Sequence, residues 1–221
     1  TRNSREVLDL FFSEYAEGSS NNKYLEIFNG TGADVDLSQY WVFQNSNGGP
    51  MTEYRDQLEG TLAHGDVYVI AHASSSAGIL AEADLTGSGI CYFNGDDARA
   101  LVKIVGTDTT ILDMVGFFPD DPGNGWEVAG LSDATKDQTL VRKSSVQSGN
   151  TDWAASAGTS ADDSEWVVLP QNTWDYMGSH PHSFTFDCAG TPNGDAVVDS
   201  LGVCGGSNDL QAAIDSAEAG S

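Results

Sequence analysis

Val7-Leu8-Asp9-Leu10-Phe11-Phe12-Ser13-Glu14-Tyr15, the polar loop from Ala16 to Asn22, and Lys23-Tyr24-Leu25-Glu26-Ile27-Phe28-Asn29 decide the fold. Both runs are rich in β-formers. The second alternates apolar with polar residues, and Asn29-Gly30 ends it with turn chemistry. They read as two strands. Paired as a hairpin, they bring Glu14 toward Glu26.

Further strands follow at short intervals. Tyr40 to Gln44 is one, and Asn45 to Pro50 is a turn cluster after it. Asp66 to His72 is a continuous apolar run, as expected of a strand buried on both faces. Ser74 to Ala83 reads as a short helical turn with Ile79 and Leu80 toward the core. Ile90 to Phe93 and Ala100 to Val105 read as strands around the loop Asn94-Gly95-Asp96-Asp97. Ile111 to Gly116, Thr139 to Lys143 and Trp166 to Val168 complete the set. Short strands between Gly-, Asn- and Asp-rich turns predict an all-β sandwich. The 221 residues suffice for a well-buried core.

The composition narrows the function. Lys and Arg number 9 against 33 Asp and Glu, a net charge of −24. Such a chain repels phosphates, so direct nucleic-acid binding is not expected. The charge favours divalent cations or a basic partner. No apolar run approaches the roughly 20 residues of a membrane span. The chain opens on Thr1 and shows no signal peptide, which reads as a processed or trimmed chain.

After Ser183 to Asp187 the composition changes to Gly, Asp, Cys and small residues. Three units are therefore expected: a polar arm over 1–6, a sandwich over 7–182 and an acidic tail over 183–221. The tail cannot build its own hydrophobic core. A disulfide between Cys188 and Cys204 is the preferred reading, with two free thiols as the alternative. The bridge implies an oxidising compartment and a secreted or surface location. Cys91, in an apolar run, reads as a buried, inert thiol. Leu210, Ala213, Ile214 and Ala217 fall at helical spacing, with Ser207 or Asn208 as the N-cap.

Several segments resemble the lamin-tail domain of secreted bacterial proteins. They are Phe12 to Gly32 with Val35-Asp36-Leu37-Ser38, Gly65 to His72, Phe93 to Ala98, Asp121 to Trp126, and Thr139 to Lys143. Order and spacing agree over roughly residues 7 to 182. The resemblance implies an immunoglobulin-like β-sandwich and a non-catalytic module. Asp187 to Gly206 resembles Asp/Cys/Gly repeats that look like thrombospondin type 3 calcium repeats. Leu201 stands where that pattern has a further cysteine, so its bridging pattern does not carry over intact.

Calcium is the expected cofactor. The first candidate ligands are Asp187, Asn193, Asp195 and Asp199, since hard cations need several oxygens and a Gly-rich chain folds around them. Asp96 and Asp97 are the second, on a loop whose turn role is the stronger reading. Glu14, Glu17 and Glu26 read first as salt-bridge or turn support, with Lys23 or Arg99 as partners, then as calcium ligands, and last as an acid/base pair. His64 and His72 stand apart and His180-Pro181-His182 is a short exposed pair; without convergent metal-like spacing all four read as surface or edge polar residues. The five tryptophans read mainly as packing. No hydrolase, phosphate-loop or dinucleotide signature is present.

These observations predict a non-catalytic extracellular binding or adhesion module with an unknown protein or glycan ligand, ordered by calcium. A self-assembling subunit is the alternative, a homo-oligomer or filament using Val7, Leu8, Leu10, Phe11 and Phe12 as an assembly strand. An accessory domain of a secreted nuclease is the third reading.

Overall fold

A computed structural model describes residues 9–87, 89–199 and 202–205. The arm residues Val7 and Leu8, and the helix expected around Leu210 to Ala217, lie outside them. The chain divides into two compact units at His182/Ser183.

The first unit is built from two main sheets. The larger holds β1 (Phe11–Glu17), β2 (Lys23–Phe28), β7 (Val67–Ala71), β8 (Leu85–Thr86), β11 (Gln138–Arg142) and β12 (Trp166–Pro170), in the order β12-β11-β1-β2-β7-β8. The smaller holds β4 (Tyr40–Gln44), β5 (Tyr54–Gln57), β9 (Arg99–Val105) and β10 (Asp108–Val115), in the order β10-β9-β4-β5. A two-stranded ladder joins β3 (Val35–Asp36) to β6 (Thr61–Leu62). All neighbours are antiparallel except β7 and β8. This is an immunoglobulin-like β-sandwich.

Side-chain alternation sorts residues between the faces. Phe12, Tyr15, Leu25, Ile27, Ile70, Leu140 and Trp166 of the larger sheet meet Tyr40, Val42, Leu101 and Val115 of the smaller in one core. A bulge between Phe12 and Glu14 keeps Phe12 and Tyr15 both on that face. The outer face of the larger sheet carries a second core. Ala16, Tyr24, Val67, Val69 and Ala71 are covered by Ile79 of α1 (Ala77–Glu82) and by Trp174 and Met177. The run 67–71 is thus buried on both faces, which is why it reads as continuously apolar.

Leu10, Phe11 and Phe12 are buried, and β1 pairs with β2 on one side and β11 on the other. This strand is interior to the chain's own sheet. One expected strand is corrected: Gly89–Cys91 forms a 3-10 turn and Tyr92 to Phe93 is not strand. Ile90 and Cys91 are nonetheless fully buried, so that run is apolar because it plugs the core.

The two sheets are tied by Arg142 at the end of β11. Its Nε donates to the Phe12 carbonyl at 3.0 Å. One terminal nitrogen pairs with Asp113 of β10, both side chains fully buried. The other reaches Glu165 at 2.6 Å and the Ser156 hydroxyl at 2.9 Å. Asp113 also accepts from the backbone N–H groups of Phe12 and Asn150. Ser156 sits on α2 (Trp153–Ala157), whose N-cap Asp152 accepts from Ala155 N–H. The guanidinium also stacks 3.9 Å from the Trp166 ring.

Candidate functional site

The first unit carries an open groove of about 810 Å³. It lies where the edge strands of the two sheets, β5 and β8, come to the surface. Its walls come from β5, the turn into β6, β7 and β8. A contiguous cleft of about 520 Å³ shares Asp56 and Gly89 with it and extends past Tyr54 and Arg55. Four carboxylates line the main groove: Asp56, Glu59, Asp66 and Asp84. No Lys or Arg lines that part. The groove is therefore an anionic trough.

The two edges are treated differently. β7 is partly covered by the short β8, and Asp84 takes over where β8 stops: its Oδ2 accepts from Val69 N–H at 2.8 Å. Asp66 likewise accepts from Val67 N–H. Carboxylates thus occupy the β7 edge. β5 ladders with β4 and is the last strand of its sheet, and Tyr54, Arg55 and Gln57 are exposed. Tyr54 is 45% exposed, a large aromatic placed at an edge. Burial raises the Tyr68 phenol above its ordinary range, and the Asp84 carboxylate adds to this, so it stays a neutral donor.

Asp187 Oδ1 accepts from the N–H groups of Ala189 and Thr191, and Oδ2 from Ala196 N–H. Those bonds hold its carboxyl below the usual carboxylate range, Thr191 foremost. Asn193 Oδ1 accepts from Thr185 N–H, and Asp199 Oδ1 from Val203 N–H. Asp195 is exposed. Asp97 accepts from Asn94 N–H at 2.8 Å and Asn47 N–H at 3.0 Å, which makes it the clasp of its own turn. Asp96 is 8% exposed, and burial raises its carboxyl. Among the described residues no three of His, Cys, Asp or Glu converge as a metal ion requires.

Cys188 and Cys204 are joined by a disulfide with Cα atoms 5.5 Å apart. Cys91 is buried, its Sγ–H donates to the Ile70 carbonyl, and burial pushes the thiol up to about 12. None of the five tryptophans is exposed.

Glu14 and Glu26 face each other across β1 and β2, and both are fully buried. The Tyr24 hydroxyl donates to Glu14 at 2.6 Å. Ser13 Oγ and Gly178 N–H each donate to Glu26 at 2.6 Å. Neither carboxylate meets a cation within ion-pair distance among the described residues. Of the pairings expected with Lys23, the one with Glu17 forms, at 3.1 Å. Arg99 is also fully buried, and its guanidinium stacks 4.1 Å from the Phe93 ring. Burial raises Glu14 well above the carboxylate range and takes Glu26 to about 7.

The groove was not foreseen from sequence. Its one signal is the polar run Tyr54-Arg55-Asp56-Gln57, which carries an aromatic but no apolar face.

The family model described as Lamin Tail Domain matches residues 3–118. That is more than half of the chain, and it ends before β11 and β12, which complete the sheet around β1. No curated protein matches the chain. No helix among the described residues is long and apolar enough to cross a membrane.

Proposed function

Because the chain belongs to the lamin tail domain family, immunoglobulin-like domains often found in non-catalytic binding or structural roles, we propose that it is a non-catalytic extracellular binding module. Its ligand is an extended cationic segment of a partner protein, laid along the β5 edge. The single observation that carries this is the anionic groove beside β5, the edge strand of the smaller sheet. Main-chain bonds to β5 supply affinity, and the carboxylates of the trough select lysine and arginine. The buried state of Glu14 and Glu26 supports the non-catalytic part, since neither reaches solvent.

The test is a labelled alternating Lys-Thr octapeptide, titrated against the full chain by fluorescence anisotropy. Glu59 and Asp66 are exposed groove carboxylates. Glu59→Lys with Asp66→Lys is expected to weaken binding by about tenfold or more, near 1.4 kcal/mol. Asp195→Lys in the tail is expected to change it little. Affinity should fall as salt rises. Equal binding by an alternating Glu-Thr peptide would refute the reading.

The extracellular part rests on the disulfide. Closing a loop of this size is worth about 3 kcal/mol to the tail, and the tail exposes Phe186, Val197, Val198 and Val203. Cys188→Ser with Cys204→Ser is expected to open the tail to chymotrypsin at Phe184 and Phe186 while melting of the first unit is unchanged. A lowered melting temperature of the first unit would show that it depends on the bridge.

Calcium, in this reading, acts on the excess negative charge. It raises the melting temperature in a graded way that magnesium matches. A saturable rise specific to calcium would instead mean a true site.

A further inference from the structure

Part of the outer face of the larger sheet is covered by a segment without regular structure. Residues 171–179 leave β12 as a series of turns. They lay Trp174 and Met177, both half-buried, against the cluster of Ala16, Tyr24 and Val69. Two polar ties hold the segment. At its start Asn172 Oδ1 accepts from Ser19 N–H at 2.9 Å. Near its end Gly178 N–H donates to Glu26 at 2.6 Å. Gly178 has a φ of +91°, and a side chain there would strike the Glu82 carboxylate of α1, so the position calls for glycine. A stretch held by a few ties and no ladder opens at less cost than a strand.

Beneath it lie Glu14 and Glu26, fully buried and opposite each other on β1 and β2. Glu14 Oε1 has no hydrogen-bond partner. A charged carboxylate is costly in such a place, and the neutral acid is not. The groups around the pair do not offset the charge. They are Tyr24 beside Glu14, Asp66 and Asp84 at the ends of β7 and α1, Glu82 of α1, and Asp175 on the segment itself. β11, on the other side of β1, sets Val141 opposite Glu14. His180 follows two residues after Gly178. It is buried, as is His72, where the sequence placed both at the surface or an edge. Burial takes the His180 imidazole down to about 4, with His182 and Arg142 adding to the shift, so it stays neutral above pH 5. The two carboxyls are therefore what changes charge under the segment as pH rises.

We propose that residues 171–179 form a proton-gated strap, seated while Glu14 and Glu26 are protonated and lifted as they become charged. Lifting lets water reach both carboxyls and uncovers the apolar surface that Trp174 and Met177 occupy. The sign follows from linkage. Under the seated strap Glu26 rises from 4.5 to about 7, with burial the main cause, and hydration returns it toward 4.5. The seated state holds protons that the lifted state releases, so opening becomes easier as pH rises through that window.

The test is hydrogen exchange of the Gly178 amide in the full chain, followed by NMR from pH 5 to pH 8. Protection factors are compared, which cancels the intrinsic pH dependence of exchange. Between those limits Gly178 is expected to lose protection roughly 70-fold from Glu26 alone. The amides of the β4–β9 ladder should stay far better protected, and low urea should speed their exchange but not that of Gly178. Glu26→Gln keeps an acceptor for Gly178 and is expected to remove the Glu26 share. Glu14→Gln with Glu26→Gln is expected to leave the protection factor level across the range. Asp175→Asn, a change at an exposed carboxylate of the strap, should preserve the wild-type loss. A level protection factor in the wild-type chain, or a full pH-dependent loss in the double variant, would overturn the proposal. So would Gly178 exchanging in step with the ladder amides and with their urea dependence, since the whole unit would then be opening and not the strap.

Discussion

Glu26→Gln is expected to stabilise the first unit at pH 8 and to leave it nearly unchanged at pH 4. Glu26 lies opposite Glu14 on neighbouring strands, under the layer formed by α1, Trp174 and Met177. Burial is the main cause that lifts both carboxyls, and their mutual repulsion adds to it for Glu14. Glu26 moves from 4.5 to about 7. The native state therefore holds protons that the unfolded chain has already released. Stability is fully present below about pH 4.5 and is lost as pH rises through about 7. Glutamine removes that loss. Its carbonyl still accepts from Gly178 N–H, and its NH₂ donates to Ser13 Oγ, which rotates to accept. The gain at pH 8 is on the order of 2 kcal/mol. Urea titrations of both proteins at pH 4 and pH 8 check it. Comparing the pair at each pH cancels the general self-repulsion of the acidic chain. Equal stability of the two proteins at pH 8 would mean that Glu26 is not buried as described.

Arg142→Met is expected to cost about 3–5 kcal/mol, the largest single loss in the first unit. The substitution preserves bulk and the packing against Trp166. It removes the only cation within ion-pair distance of Asp113 among the described residues. Asp113 then keeps a fully buried charge with backbone N–H partners alone. Burial already raises its carboxyl even with Arg142 in place. The Phe12 carbonyl loses its side-chain donor as well. Arg142→Lys keeps the charge but not the planar fork that reaches three elements at once, so an intermediate loss is expected. Thermal melts of the three proteins check this order. A loss below about 1 kcal/mol for Met would show that the polar tie does not hold the sheets together.

The elements with an apolar face were legible in the sequence. Tyr40 to Gln44 was read with the bounds it has, and the 67–71 strand was read as covered on both sides. β5 was missed because an exposed edge strand has no apolar period to detect. α2 was missed because its five residues, Trp153 to Ala157, span little more than one turn. Ile90 to Phe93 was misread because a short apolar run does not distinguish a strand from a buried turn. At the sites, Glu14 and Glu26 approached each other as the hairpin implied. Their lack of a cation was not legible, because nothing local to β1 and β2 announces the covering layer from Trp174 to Gly178. Asp97, Asp187 and Asp199, expected as metal ligands, also accept backbone N–H groups, since an Asp beside Gly and Asn accepts nearby N–H groups as readily as it ligates. The groove depends on which strands lie at sheet edges, which is a property of topology and not of any one segment.

In the proposed binding mode a cationic strand adds to β5. Amide hydrogen exchange over Tyr54 to Gln57, with and without the Lys-Thr octapeptide, tests it most directly. Bound peptide is expected to slow exchange along β5, and Glu59→Lys with Asp66→Lys to remove the effect. Unchanged exchange along β5 with peptide bound, or protection confined to the opposite edges β10 and β12, would contradict it.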